Sequence, residues 1–222
     1  MGMAMFTEDG GLVAADGACY SLREYGFVPD PDREYTTDEV RALNAANPRF
    51  TPRWECVDGV LLVTPAPTGG HQAAGERLFV ALSNYCAAHF PDGVPGLPPC
   101  DINWGGDVKL MQPDVYVAPR DMRRAVNAAR SSVKGWRQIT HLLLVVEVLS
   151  PKTASNDRGI KRRAYQQQGV PLYWIVNERA RAVEVWTPDA TEARVERERL
   201  VWHPEGAAAP FELALEDLFR PL

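Results

Sequence analysis

Long hydrophobic runs are missing from this 222-residue chain. No apolar stretch reaches the roughly 18 residues that a membrane-spanning helix needs. The longest, near Leu142–Leu149, is strand-sized. A basic segment followed by an apolar core is also missing from the N-terminus, which argues against a secretory signal. Cysteine is scarce: Cys19, Cys56, Cys86 and Cys100 lie far apart and form no C-x-x-C pair. That spacing excludes the usual zinc cluster and a disulfide framework, and points to reduced thiols in a cytoplasm. Positive charge is not in excess. The formal net charge is -5 and the pI is about 5.4. Bulk charge therefore excludes a constitutive nonspecific DNA binder, but not a local basic patch.

What is present suits one compact domain. Hydrophobic residues make up 45% of the chain and charged residues 24%, enough apolar material for one sizeable core. Residues 1–35, punctuated by Gly, Pro and Asp, read as an irregular lead-in, and 36–222 as the folded domain. Thr36 followed by Glu39 makes a capping box, which predicts a helix to about Asn44, before Pro48. Arg53–Val63 reads as a hairpin turning at Asp58-Gly59. From His71 to His89, Ala74, Leu78, Leu82, Tyr85 and Cys86 recur at helical spacing. The string PDGVPGLPP then breaks the pattern.

Short strands are expected near Asp101–Trp104, Val108–Met111 and Asp114–Ala118. Residues 120–138 are basic and polar. LLLVVEVLS reads as a strand buried on both faces. A helix over about Asp157–Gln168 ends at Gly169. LYWIV and AVEVW form a hairpin, Ala193–Val201 is one further strand, and LEDLF a terminal helix. No internal repeat appears.

Two carboxylates stand out. Glu147 sits inside the most hydrophobic stretch, where an unpaired charge costs several kcal/mol. The ordinary explanation is a strand end, with escape to solvent or an arginine partner. Asp114 opens the short apolar strand after Pro113, a position that a turn aspartate also fills. Together they are more telling, because carboxylates on adjacent strands can converge on one divalent cation such as Mg²⁺ or Mn²⁺.

The pieces WECVDGVLL, TPAPTGGH, QPDVYVAP, VVEVLSP, DRGIKRRAYQQQGVPLYWIVN, AVEVW and PFELALEDLF resemble, in this order, the Uma-two family of the restriction-endonuclease-like PD-(D/E)XK superfamily. The resemblance runs from about Tyr35 to the C-terminus. It implies a restriction-endonuclease-like α/β fold, with a central mixed β-sheet flanked by helices. It also implies a Mg²⁺- or Mn²⁺-dependent endonuclease acting on DNA. Asp114 and Glu147 would be metal ligands, with the Val148 carbonyl as a third. Glu55 would complete the acidic site; the alternative is an exposed hairpin residue. His71 would touch phosphate or water; the alternative is helix capping.

The lysine departs from the pattern. The E-x-K position, on the same strand face as Glu147, holds Leu149. The resemblance places the ammonium at Lys161, one helix downstream. Its alternative is a surface pair with Asp157 at i,i+4. Lys152 competes, against a solvated loop lysine. Tyr165, one turn beyond Lys161, would buttress the site or simply pack in the core. Arg158 and Arg162 make this helix basic enough to meet a phosphate backbone, as does a looser cluster of Arg120, Arg123, Arg124, Arg130, Lys134 and Arg137; a solvated basic face is the alternative. Superfamily enzymes often act as dimers, and the apolar hairpin after the helix offers an edge or face for a homodimer. The rival functions are a catalytically inactive nucleic-acid or protein-binding module on the same fold, and a hydrolase of another phosphate ester.

Overall fold

The computed structural model describes residues 5–6, 11–13, 19–21, 30, 32–47, 52–104, 106–107, 109–122 and 139–221. In the lead-in, β1 (Met5–Phe6), β2 (Gly11–Val13) and β3 (Cys19–Ser21) pair as a small antiparallel sheet. Helix α1 (Thr37–Ala46) starts where the capping box places it. Thr36 Oγ1 accepts from the Glu39 N–H at 3.3 Å, and Glu39 Oε2 accepts from the Thr36 N–H at 2.9 Å. Thr36→Ala is expected to cost about 1 kcal/mol, read by urea denaturation. An unchanged midpoint would mean that tertiary packing alone holds the helix start.

The hairpin forms from β4 (Arg53–Val57) and β5 (Val60–Thr64). Asp58 and Gly59 turn with φ of 50° and 79°, as a two-residue loop between right-twisted strands requires. Helix α2 (Gly69–His89) follows, and it buries Ala74, Leu78, Leu82, Tyr85 and Cys86 as the spacing predicts.

The breaker string ends in a strand, β6 (Gly93–Gly96). Its Pro95 is tolerated because β6 lies at a sheet edge. A Cβ at Gly93 would fall 2.6 Å from the Phe90 ring, and one at Gly96 2.2 Å from that of Tyr116. The two expected strands before Asp114 shrink to β7 (Lys109–Leu110) and a single bridge between Ile102 and Met111. Then come β8 (Val115–Pro119) and β9 (Leu144–Val148). Arg123, Arg124, Arg130, Lys134 and Arg137 lie outside the described residues.

Helix α3, residues 154–167, has three parts: Ala154–Asn156, a π-helical turn Asp157–Lys161, and Arg162–Gln167. Gly169, at φ 66°, stops it, with the Val170 N–H closing back on the Tyr165 carbonyl. Strands β10 (Tyr173–Asn177) and β11 (Ala182–Trp186) form the expected hairpin. The single strand expected over 193–201 is two: β12 (Arg194–Glu196) pairs with β11, whereas β13 (Arg199–Trp202) pairs with β14 (Phe211–Ala214) in another sheet. A local pattern does not record that the chain changes partners at residues 197–198. Helix α4 (Leu215–Leu218) closes the fold.

The central sheet runs β12-β11-β10-β9-β8-β6. It is mixed, with β9 and β10 parallel and the other pairs antiparallel. The β10–β11 hairpin is therefore interior. It has no free edge to offer a second copy, because β9 and β12 already occupy both sides.

Alternation sorts the side chains. Val115, Val117, Leu144, Val146, Val148, Trp174 and Val176 pack toward α2, whereas Tyr116, Ala118, Val145, Tyr173 and Ile175 pack toward α3. By parity Glu147 belongs to the α3 face. A second sheet, β5-β4-β7, packs Trp54, Cys56, Leu61, Val63 and Leu110 on Tyr35 and Val40. The opposite face of β4 therefore turns Arg53, Glu55 and Val57 toward the central sheet. No helix among the described residues is long and apolar enough to cross a membrane.

Candidate active site

The two carboxylates meet because their strands are neighbours. In the β8–β9 ladder Val115 pairs with Val146, so Asp114 and Glu147 lie one step further along the same register. The Val148 N–H donates to Asp114 Oδ2 at 2.9 Å, which joins the two strand ends directly. Arg53 donates to Asp114 Oδ1 at 2.9 Å, and His71 Nε2 stands 3.2 Å from Asp114 Oδ2. His71 is held by its place in the first turn of α2, where its N–H donates to Thr68 Oγ1. Burial alone would favour the neutral Asp114 acid. The His71 contact, the Arg53 charge and the Val148 N–H outweigh it and hold this carboxyl well below the usual range.

Glu147 has a different environment. Its Oε1 accepts from Lys161 Nζ and from the Tyr165 hydroxyl, both at 2.9 Å. Burial, followed by the charges of Asp114, Asp157 and Glu55, pushes its carboxyl well above the ordinary value in spite of Lys161. Lys161 is only 3% exposed. It lies 2.8 Å from Glu55 Oε2 and 3.7 Å from Asp157 Oδ1. Burial works against its charge, but these three carboxylates raise its pKa and keep it cationic.

The Asp157–Lys161 contact, which as the alternative would be a surface pair, is instead buried, with both residues in the π turn. Such turns are common at functional sites. Glu55 is fully buried rather than exposed on its hairpin. It accepts from the Gln112 N–H at 2.7 Å and from Thr64 Oγ1 at 3.0 Å, as well as from Lys161.

Asp157 has the loosest bonding of the four carboxylates. Its Oδ1 is buried with no hydrogen-bond partner. Burial pushes its carboxyl up to about 6, against Lys161 and a Thr153 hydrogen bond. The folded chain thus holds this proton more tightly than the unfolded chain does. Stability should fall as pH rises from about 4 through 6, by roughly 2–3 kcal/mol. In EDTA the melting temperature is expected to be higher at pH 5 than at pH 7.5, with Asp157→Asn flattening the difference. A wild-type profile that is level over this window would contradict the assignment.

These groups border a pocket of about 80 Å³ lined by Arg53, His71, Asp114, Glu147, Asp157 and Lys161. Val148 and Lys152 line it too. The structure therefore brings Asp114, Glu147, Val148, His71, Lys152 and Lys161 to one pocket, with Glu55 and Tyr165 bonded behind them. It does not bring Arg158 or Arg162 there. Arg158 Nε donates to Glu184 at 2.8 Å, and the Arg162 guanidinium lies 4.5 Å from the Trp186 ring centre. Arg53 and Asp157 were missed by the sequence reading. The spacing Arg53-x-Glu55 was the available signal, since it sets both on one face of β4.

The charges do not cancel. Four buried carboxylates (Glu55, Asp114, Glu147, Asp157) face two fixed cations, Lys161 and Arg53. With all four ionised the excess would be two negative charges, which one divalent cation would match; without it, burial and this repulsion raise the Glu147 and Asp157 carboxyls. Among the described residues no group of three or more His, Cys, Asp and Glu side chains forms a metal cluster by itself. The donor set suits Mg²⁺, which takes one or two carboxylates and completes its shell with waters and phosphate oxygens.

A solved structure described as "a putative nuclease belonging to DUF820", from Anabaena variabilis, superposes with a TM-score of 0.64 at 21% identity, over 83% of this chain and 97% of that one. At that identity the likeness speaks to the fold. No curated protein matches the chain. The family model Uma2, described as "Putative restriction endonuclease", matches residues 38–220. Since that span covers both carboxylates, the helix lysine and every strand of the central and β5-β4-β7 sheets, the chain belongs to the Uma2 family of restriction-endonuclease-like nucleases.

Proposed function

We propose that this protein is a metal-dependent endonuclease that hydrolyses DNA phosphodiester bonds, with Mg²⁺ or Mn²⁺ held by Asp114, Glu147 and the Val148 carbonyl. The observation that carries the reading is the registered meeting of Asp114 and Glu147 at the ends of neighbouring strands, with a buried ammonium on Glu147. Bound there, a divalent cation supplies Lewis acidity toward water and phosphate.

The chain's own residues do the rest. Asp114 stays ionised, held in place by Arg53 and the Val148 N–H. Lys161 stays protonated and faces the pocket, where it stabilises charge on a phosphate oxygen. Glu55 and Tyr165 act behind it: Glu55 fixes the ammonium, and Tyr165 orients Glu147. His71 and Lys152 line the pocket, within reach of a phosphate. Arg158 and Arg162 are left as contacts to the substrate backbone only if it spreads over the outer face of α3. The buried Cys56, Cys86 and Cys100 suit a reducing cytoplasm. A homodimer would need a surface other than the edges of the interior hairpin.

The test is nicking of supercoiled plasmid by the purified chain in Mg²⁺, Mn²⁺ or EDTA. Nicking in the metals that stops in EDTA is the expected result. A folded chain that nicks in none of these conditions points to the binding-module alternative. Cleavage of small phosphate esters but not of DNA points to the other hydrolase.

A further inference from the structure

We infer that the cleft beside the catalytic pocket receives an unpaired nucleobase next to the scissile phosphate, so that the preferred substrate is DNA with an unpaired nucleotide at the cut. This rests on the nuclease reading above and narrows its substrate. The cleft has a volume of about 600 Å³, inside the roughly 300–1,000 Å³ range of small-molecule sites. It shares Arg53, His71 and Asp114 with the catalytic pocket, so whatever fills it adjoins the reacting phosphate.

The charge along the described lining of the cleft is uneven. Among its described lining residues the basic side chains are Arg53 and His71, both on the shared wall. The rest of the described lining is mixed: prolines and Leu97 stand beside the amides of Asn44, Asn47, Gln72 and Gln112 and the Glu76 carboxylate. A groove that tracks a phosphate backbone needs cations along its length. Among the described lining residues, basic side chains stand only where the scissile phosphate would lie. The remainder, with apolar surface and amides but no described basic group, suits a base, whose faces are apolar and whose edges hydrogen-bond. A base cannot enter such a cleft while stacked in a duplex, and extrusion costs least where it is already unpaired.

Gly75 is the independent sign. It lies in the second turn of α2, inside the helix, where glycine is unfavourable by about 1 kcal/mol relative to alanine. Nothing in its surroundings requires it: a Cβ there would meet no described atom within 4 Å. Gly75 also lines the cleft, so a larger side chain there would take up cleft space.

The experiment compares a perfect duplex with the same duplex carrying one unpaired 2-aminopurine. Rates are followed in Mn²⁺, and 2-aminopurine emission on binding is followed in Ca²⁺. Wild type should cleave the second substrate at least about tenfold faster, with a rise in emission as the base leaves the stack. Gly75→Leu fills the cleft, and Leu97→Asp puts a charge in it at a position already 37% exposed. Both should cleave the perfect duplex at the wild-type rate and lose the preference and the emission change. Gly75→Ala should melt higher than wild type, showing that the helix tolerates a side chain there.

Equal wild-type rates on the two substrates, or a preference that survives both substitutions, would overturn the inference. If nothing is cleaved but emission still rises with wild type and not with the variants, the cleft assignment stands and the nuclease reading falls. If neither cleavage nor an emission change occurs, the cleft assignment falls as well.

Discussion

Lys161→Met is expected to destabilise the protein by roughly 3–5 kcal/mol, the usual cost of removing one partner from a buried ionic cluster. For a chain of this size that lowers the melting temperature by roughly 10 °C. The reason lies in the surroundings of the ammonium rather than in its own burial. Glu55 and Glu147 stand 2.8 and 2.9 Å away, and methionine fills a similar volume without neutralising either. Glu55, which keeps its bonds from Gln112 and Thr64, should suffer less than Glu147. The deficit should shrink as pH falls, because the stranded Glu147, whose carboxyl burial already pushes up, takes up a proton. Thermal melts of both proteins at pH 5 and pH 8 check this. A loss of less than about 1 kcal/mol at pH 8 would place Lys161 in an ordinary exposed pair and remove it from the site.

Glu147→Gln should separate function from stability. The amide keeps the shape and hydrogen-bonding capacity of the side chain but removes one of the two charges available to a cation. Loss of several kcal/mol of electrostatic stabilisation corresponds to at least about a thousandfold drop in cleavage. Stability in EDTA should instead be unchanged or higher, because the folded state already disfavours the Glu147 charge. Such exchanges of stability for activity are expected at sites assembled from repelling groups. Asp114→Asn should lose activity to the same degree but with lower stability, since Asp114 is held ionised by Arg53 and the Val148 N–H. Plasmid nicking paired with melts in EDTA reads both effects. Full activity in either variant would remove that residue from the cation site. Strong destabilisation by Glu147→Gln would make this glutamate a structural partner of Lys161.

Much of this was legible locally. The capping box set the start of α1, Asp58-Gly59 set the hairpin, and the apolar spacing of α2 named its buried face. The anomaly of a carboxylate inside LLLVVEVLS marked Glu147, because a strand buried on both faces leaves a charge nowhere to go. Punctuation was read less well. Pro and Gly in PDGVPGLPP suggested only a break, yet Pro95 sits on an edge strand and the two glycines let the Phe90 and Tyr116 rings approach. The segment over 193–201 has one polarity pattern but two sets of strand partners.

The sequence by itself marked most of the strands and helices and the faces they bury, since these follow from periods of two and of about 3.6 residues along the chain, and it marked Glu147 as a charge out of place, whereas Asp114 stood out only beside Glu147 and through the family resemblance. Only the tertiary structure decided who meets whom. Arg53 reaches Asp114 across 61 residues of sequence. Lys161 finds Glu55 on a different sheet, and Arg158 is taken by Glu184 instead of the site. Each of these pairings depends on which strands and helices become neighbours. Burial then gives each charge in the pocket an environment that no local pattern contains.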